Sequence, residues 1–344
     1  MSKLRIAIIG AGILGSRHAR VFHEQPESET VAIVDVNQER AQKIAALYNA
    51  KAYTDFNTML QNENVDAVAV ATPDHLHRDP VVAAIKAGKH VFMEKPIATQ
   101  IEEAREIASC RSTATTVTVM VNYSQRYLTD YAWIKQRIAA GEIGKPLMAM
   151  SIKYDTIYVP TGMIPSWASE TSPIYFMSSH DLDLVHWYVG VDPVEVLAHE
   201  TRGVLEGKGI RAHDGVNALI QFEGGVSTNF HSSWIHPTTY PSIADGYMQI
   251  IGSEGAISYN NRTRRADIYN TKGGYDLTFA GPQTATEVEG KIIGAFTDSV
   301  RHFLNCIIEK REPDTSPRKV LPTAEAQAAI MESIKTHQAI KIKK

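Results

Sequence analysis

Cysteine is almost missing from this chain. Only Cys110 and Cys306 occur in 344 residues, and two thiols so far apart give no disulfide framework and fit a reducing compartment, with the cytoplasm as the default. Long apolar runs are missing too, since no uninterrupted stretch reaches the roughly 20 residues that a bilayer span needs. The apolar opening Leu4 to Leu14 is interrupted by Arg5, Gly10 and Gly12 and followed by a charged amphipathic stretch. It lacks a small-residue cleavage pattern and reads as a buried strand and turn, not a secretion signal. Nor does charge of one sign dominate. Lys plus Arg number 35 against 38 Asp plus Glu, with only short basic clusters at Arg262 to Arg265 and Lys341 to Lys344, so nothing predicts a nucleic-acid partner. Internal repeats and low-complexity segments are absent as well. A soluble protein without a membrane or nucleic-acid partner is expected.

What is present is enough apolar material, 44% of residues, to fill two cores, and the chain is longer than one core usually organises. Residues 1–122 alternate apolar runs with helical patterns. Strands are expected at Leu4 to Ile9, Thr30 to Asp35, Ala67 to Ala71, His90 to Met93 and Thr116 to Val121, with helices at Gln38 to Tyr48 and Val81 to Ala87. Runs that are apolar throughout imply burial on both faces, hence an α/β domain with a doubly wound parallel sheet of the Rossmann type. Residues 123–344 read differently. Pro146 to Val159 places Met148, Met150, Ile152 and Tyr154 on one side and Ala149, Ser151, Lys153 and Asp155 on the other. Further strands are expected at Val194 to Thr201, Gly215 to Phe222, Val226 to Trp234, Gly246 to Ile251 and Gly255 to Asn260. Helices are expected at Asp130 to Ala140, Ser179 to Tyr188, Ala295 to Glu309 and Thr323 to Ala339. This makes an α+β domain on a large, mainly antiparallel open sheet. One uncovered face, with Met148, Met150 and Ile152 on it, predicts a homodimer or homotetramer joined through these sheets.

Gly10-Ala11-Gly12-Ile13-Leu14-Gly15 follows the first strand and opens a helix, the position of a dinucleotide phosphate loop. Asp35, twenty residues after Gly15, ends the second strand, where a carboxylate accepts hydrogen bonds from the adenosine ribose and repels a 2′-phosphate. NAD is therefore expected over NADP, with Arg40 on the next helix as a reservation. Glu94-Lys95-Pro96 follows the strand His90 to Met93 at the carboxyl edge of the sheet. An ammonium there stabilises the alkoxide that develops as hydride leaves an alcohol carbon.

These residues together resemble the glucose-fructose oxidoreductase, inositol dehydrogenase and rhizopine-catabolism group, the Gfo/Idh/MocA family. The resemblance covers nearly the whole chain. It rests on the glycine loop, Thr72-Pro73-Asp74-His75-Leu76-His77, Glu94-Lys95-Pro96, Asn122-Tyr123-Ser124-Gln125-Arg126-Tyr127, and His180-Asp181-Leu182-Asp183 ahead of Trp187 and Gly190. It implies an NAD(P)-dependent oxidoreductase acting on a sugar, sugar derivative or cyclic polyol. It also implies Lys95 as the active-site lysine, His180 as the active-site histidine, and Thr72, Pro73, His77 and Glu94 along the cofactor cleft. Independently, Ser178 followed by Asp181 resembles a capping box that puts His180 in a first helical turn, where the helix dipole disfavours imidazolium and leaves a neutral base. Asp183, three residues on, is placed to orient the ring.

Tyr123, Arg126, Tyr154, Trp167, Phe176 and His236 complete the candidate substrate pocket. Phe176 is a departure: relatives often carry an aspartate four residues before the histidine. Phe176 then either offers an apolar wall to a sugar ring or fills core. Three metal ligands on one short helix, His180, Asp183 and His186, rarely complete a shell, so no metal is expected. His186 reads as structural or surface, Trp187 and Tyr188 as core. An enzyme that oxidises a sugar only transiently to cleave or epimerise a glycoside fits the same residues. A ligand sensor on this scaffold does not need both Lys95 and His180.

Overall fold

The computed structural model describes residues 2–111, 116–279 and 284–342. The chain forms two compact units, one of Met1–Tyr127 with Pro282–Leu321, the other of Leu128–Gly281 with Pro322–Lys344. This differs from a single cut after residue 122, because a late segment belongs with the first unit.

The first unit starts with β1 (Leu4–Ile9), α1 (Ile13–Glu24), β2 (Ser28–Val34), α2 (Gln38–Ala46), β3 (Lys51–Tyr53), α3 (Phe56–Asn62), β4 (Ala67–Val70), α4 (Arg78–Lys86), β5 (His90–Glu94), α5 (Ile101–Ser109) and β6 (Val119–Asn122). The six strands pair in the order β3-β2-β1-β4-β5-β6, all parallel. The fully apolar strand runs reflect this: Ile6, Ala7, Ile8, Val68 and Ala69 have no exposed surface. Strand order reverses between β1 and β4, so loops after these strands diverge and leave a crevice at their carboxyl ends.

The second unit contains α6 (Thr129–Ala139), β7 (Pro146–Thr156), α7 (Pro173–Phe176), α8 (Ser179–Val189), β8 (Pro193–Thr201), β9 (Gly215–Phe222), β10 (Ser227–His236), β11 (Ala244–Gly252), β12 (Gly255–Asn260), β13 (Arg265–Asn270) and β14 (Gly273–Thr278). Nine strands form one sheet, antiparallel except where β7 pairs with β10. Residues of α6 and α8, including Ile134, Leu182 and Val185, pack with Val196, Ile220, Phe230 and Ile250 from one sheet face.

The chain then supplies a hairpin, β15 (Thr286–Val288) and β16 (Lys291–Ile293), and α9 (Ala295–Ile308). On α9, Phe296, Val300, Phe303 and Leu304 complete the first unit's core with Phe22 and Phe92. Phe92 meets the rings of Phe22 and Phe303 edge-on, each at 5.5 Å. This apolar face of α9 is the physical reason the segment joins the first unit. The last elements are α10 (Pro317–Thr336) and β17 (Ile340–Lys341), and the division between units falls inside α10 at Pro322. The helix begins at Pro317, ahead of the expected Thr323, and runs through Pro322 in its second turn, which has no amide hydrogen to give the helix ladder.

Two glycines fix the turn after β1. Gly10 has φ +93, and a Cβ there would lie 2.6 Å from the Ala71 carbonyl oxygen; a Cβ on Gly15 would lie 1.7 Å from the Gly10 oxygen. Both are required by the protein's own packing. Gly15→Ala is expected to destabilise the first unit by about 3 kcal/mol or more, since the obstructing atom is backbone; a urea unfolding midpoint equal to wild type would contradict this.

Candidate active site

The glycine loop leads into α1, whose N-cap is Gly12, without a side-chain cap or an acidic residue in the first turn. Its first amides, including those of Ile13 and Leu14, therefore meet no side-chain anion from the helix itself. Gly12 is unlike its neighbours: a Cβ there would meet nothing within 4 Å. Nothing in the chain requires glycine at this position, whereas a pyrophosphate lying on the helix end does. Asp35 is buried at the end of β2 and accepts hydrogen bonds from the amides of Ala11 at 2.8 Å and Asn37 at 2.9 Å. It thereby ties β2 to the glycine loop. Asn37, not Asp35, caps α2 through the Arg40 amide. The Arg40 guanidinium reaches Asp35 at 3.4 Å while its side chain stays half exposed. The open space at Gly12, the uncapped helix end and the carboxylate together fit a dinucleotide.

At the carboxyl end of β5, Lys95 is half-buried before Pro96, and the bond between them is cis. Glu94, 5% exposed, accepts on Oε1 both from His18 Nε2–H of α1 at 2.7 Å and from Asn122 Nδ2–H of β6 at 2.8 Å. Burial alone would push the Glu94 carboxyl up; the His18 hydrogen bond, the positive charge of Lys95 and the Asn122 hydrogen bond bring it below the usual range. His77 is buried, contrary to its expected place lining the cleft: its ring bridges the carbonyls of Pro96 at 2.8 Å and Thr72 at 3.1 Å. It straps the loop after β4 to the lysine turn. Thr72 and Pro73 in that loop are half-buried. Tyr123 is fully buried and has no surface to offer a substrate, while Arg126 in the following turn is partly exposed.

In the second unit, α8 begins at Ser179, so His180 does lie in its first turn, half-buried. The capping box does not form. Ser178 makes no side-chain cap, its hydroxyl bonding Ser232 on β10 instead, and Asp181 is drawn to the sheet. Asp181 accepts from the Ser151 hydroxyl at 3.1 Å and pairs with the Lys153 ammonium at 3.6 Å. Burial raises the Asp181 pKa above the ordinary carboxyl value, with Lys153 and Ser151 opposing. Asp183, on the helix face shared with His180, has no exposed surface. Ser151, Lys153, Asp155 and Ser232 are all buried on the sheet face that α8 covers. Sequence reading missed this polar row as a site. Its signal was there: two charged residues, Lys153 and Asp155, on the side of β7 that the alternation sets against the apolar side.

Tyr154 and His236 are displaced from the expected pocket. Strand alternation turns Tyr154 to the open face, where its hydroxyl bonds His231 Nδ1 at 2.7 Å. A register shift between Ser233 and His236 re-aims His236 to the same side, its ring 4.8 Å from that of Tyr154. Phe176 is half-buried and packs beside Trp167 at 5.8 Å and Trp234 at 6.1 Å, on the edge of a cluster with Val159, Ile164 and Met177. It belongs largely to core. Trp187 and Tyr188 pack with the main core, and His186 pairs with Asp192 at 2.9 Å. Among the described residues no group of three His, Cys, Asp or Glu side chains is arranged for a metal.

Comparison with known proteins agrees with this reading in both units of the chain. Residues 4–123 match the family described as an oxidoreductase family with an NAD-binding Rossmann fold, and residues 131–258 match the GFO/IDH/MocA C-terminal domain. The chain is 27% identical over 319 residues to a scyllo-inositol 2-dehydrogenase (NAD(+)) of Bacillus subtilis, covering 90% of this chain and 88% of that one. It is 28% identical over 263 residues to a 1,5-anhydro-D-fructose reductase of Ensifer adhaerens, covering 75% and 76%. The fold matches a myo-inositol 2-dehydrogenase from Lactobacillus plantarum with a TM-score of 0.82 at 21% identity, over 99% of this chain and 100% of the other. With its phosphate loop, lysine turn and open-sheet second unit accounted for by both halves of one pattern, the chain belongs to the Gfo/Idh/MocA family of oxidoreductases.

Proposed function

We propose that this protein is an NAD-dependent dehydrogenase of a cyclic polyol or sugar. The observation that carries the substrate class is the buried polar row Ser151, Lys153, Asp155, Asp181 and Asp183 beside His180. These groups are too buried to offer surface to a substrate themselves, but the polar setting they give the half-buried His180 suits a ring of hydroxyls better than an apolar substrate. The inositol and anhydrofructose relatives support the same class. NAD, held by the glycine loop and Asp35, would supply the hydride acceptor. Lys95 holds its ammonium against the substrate oxygen and stabilises the alkoxide, His180 takes the hydroxyl proton, and Asp183 orients its ring.

Two features support the protein's wider setting. Cys110 and Cys306 are free thiols, and no helix of the described residues is long and apolar enough to cross a membrane, which fits the cytoplasm. On the open face of the second sheet, Leu197, Leu219, Asn229 and Met150 lie in one register row across β8, β9, β10 and β7, with Met148 48% exposed in the next. A face of this kind closes against its own copy about a twofold axis, giving a homodimer or a tetramer built from it.

Three measurements test the reading. Lys95→Ala should lower kcat on the order of 100-fold with NAD affinity changed little; turnover within a few-fold of wild type, on inositols and monosaccharides with NAD, removes Lys95 from the reaction. Gly12→Ala should keep the wild-type melting temperature, because its Cβ meets no protein atom, while calorimetry shows NAD affinity falling about tenfold or more. Leu219→Arg should yield smaller particles than wild type in light scattering; a wild type already monomeric at micromolar concentration contradicts the sheet-face assembly.

A further inference from the structure

The single turn of α7 has too few internal bonds to hold its own direction. Its start is closed by the Ser172 hydroxyl, which accepts from the Ile174 amide at 3.3 Å. Its end is not closed in the helical way. In a continuing α-helix the Ser178 amide would meet the Ile174 carbonyl, but it bonds the Pro173 carbonyl at 2.9 Å, as the Met177 amide does at 3.1 Å. The ladder therefore breaks at an elbow between α7 and α8, and the Ile174 carbonyl is left to a side chain. That side chain is Gln327 of α10, 153 residues further along, whose Nε2–H donates to it at 2.9 Å. Ile174 and Gln327 have no exposed surface, and Ala326, Ala329 and Ile330 of α10 share a core cluster with Ile174 and Leu182.

A carbonyl only accepts, so the Gln327 amide turns its nitrogen to Ile174. Its Oε1 then lies buried with no hydrogen-bond partner among the described residues. An apolar side chain of like size would fill the space without burying an unmet acceptor, so packing does not account for the amide. Between residues 171 and 179 every residue but Phe176 is buried, and His180 follows half-buried. The His180 amide bonds back into the elbow at the Met177 carbonyl, 3.3 Å away. Beyond the elbow the chain is held to the sheet, by the Ser178 hydroxyl on Ser232 and by Asp181 accepting from Ser151 at 3.1 Å.

We infer that Gln327 is a positioning residue: by meeting the Ile174 carbonyl it sets the angle between α7 and α8, and with it the placement of Phe176 and His180. The inference rests on the reading of His180 as the group that takes the hydroxyl proton. With the donor removed, the buried carbonyl must turn toward water or another donor, and the elbow relaxes. The base then loses its alignment with the substrate hydroxyl, and a misplacement of about 1 Å can slow a reaction on the order of 100-fold.

The experiment labels the full-length protein with para-fluorophenylalanine and follows fluorine NMR beside steady-state kinetics on inositols and monosaccharides with NAD. Of the nine phenylalanine signals, that of Phe176 is the one missing from Phe176→Leu. In Gln327→Met, close in size and without a donor, this signal should move while most others hold. The kcat should fall about tenfold, with KM and NAD affinity within about twofold of wild type. On a His180→Ala background the same substitution should cost nothing further, since one residue acts through the other. An unmoved Phe176 signal in the folded variant overturns the elbow assignment, and Gln327→Leu serves the same test if Gln327→Met does not fold. A lower melting temperature with kcat unchanged assigns Gln327 to packing and overturns its bearing on His180. Wild-type turnover by His180→Ala sinks the proposed function instead, a result that the fluorine spectrum of Gln327→Met cannot mimic.

Discussion

Charge removed from water has to be answered by other charge or by hydrogen bonds, and both units of this chain are organised around that requirement. In the first, Glu94 sits between two donors at the end of a central strand. In the second, Asp181 leaves its helix terminus to meet Ser151 and Lys153 on the sheet. Neither carboxylate is an accident of packing at the surface, because each is more than nine-tenths buried. Each also stands next to the residue proposed to carry chemistry in its unit: Lys95 follows Glu94, and His180 precedes Asp181. The scaffold and the reactive groups are thus joined by adjacency in the chain, so that locking one residue in the core aims the next.

How much of this could be read from sequence follows from the range of the interactions. The glycine loop, the end of β2 at Asp35 and the lysine turn are local patterns, and the runs at Leu4–Ile9 and Gly215–Phe222 appear with their expected bounds. What escaped is short, exposed or distant. Lys51–Tyr53 has three residues and two of them exposed, and Gly273–Thr278 is exposed throughout, so neither carries an apolar rhythm. The bulge that turns His236 to the open face breaks the alternation from which its direction would have been inferred. The Ser178 cap failed because a sheet hydroxyl competed for it. His18 and Glu94 are 76 residues apart, and nothing in either neighbourhood announces the other. In retrospect a histidine three residues past Gly15, on the side of α1 that buries Ala19 and Phe22, was the available hint.

Strand β7 shows how one stretch of eleven residues serves two purposes. Its odd positions from Ala149 to Asp155 face the helix layer and carry polar groups, of which Ser151 meets Asp181 of α8. Its even positions from Met148 to Tyr154 face outward and are apolar or aromatic. A slip of one residue in register would exchange the two faces, exposing buried charge and burying a methionine row. Pairing on both edges, with β10 and β11, guards against that slip.

The contribution of α9 to the first core has a consequence for how the protein is made. The sheet of β1 to β6 is complete by Asn122, yet the rings of Phe22 and Phe92 meet their partners on α9 only after Phe303 has been added. At a ribosome speed of about 5 to 20 residues per second, that leaves the nascent sheet with an uncovered aromatic face for roughly 10 to 35 s. All of the second unit's sheet except β17 emerges within the same interval. The unit that holds the first strands therefore also finishes late, and the growing chain must be shielded at that face while it waits.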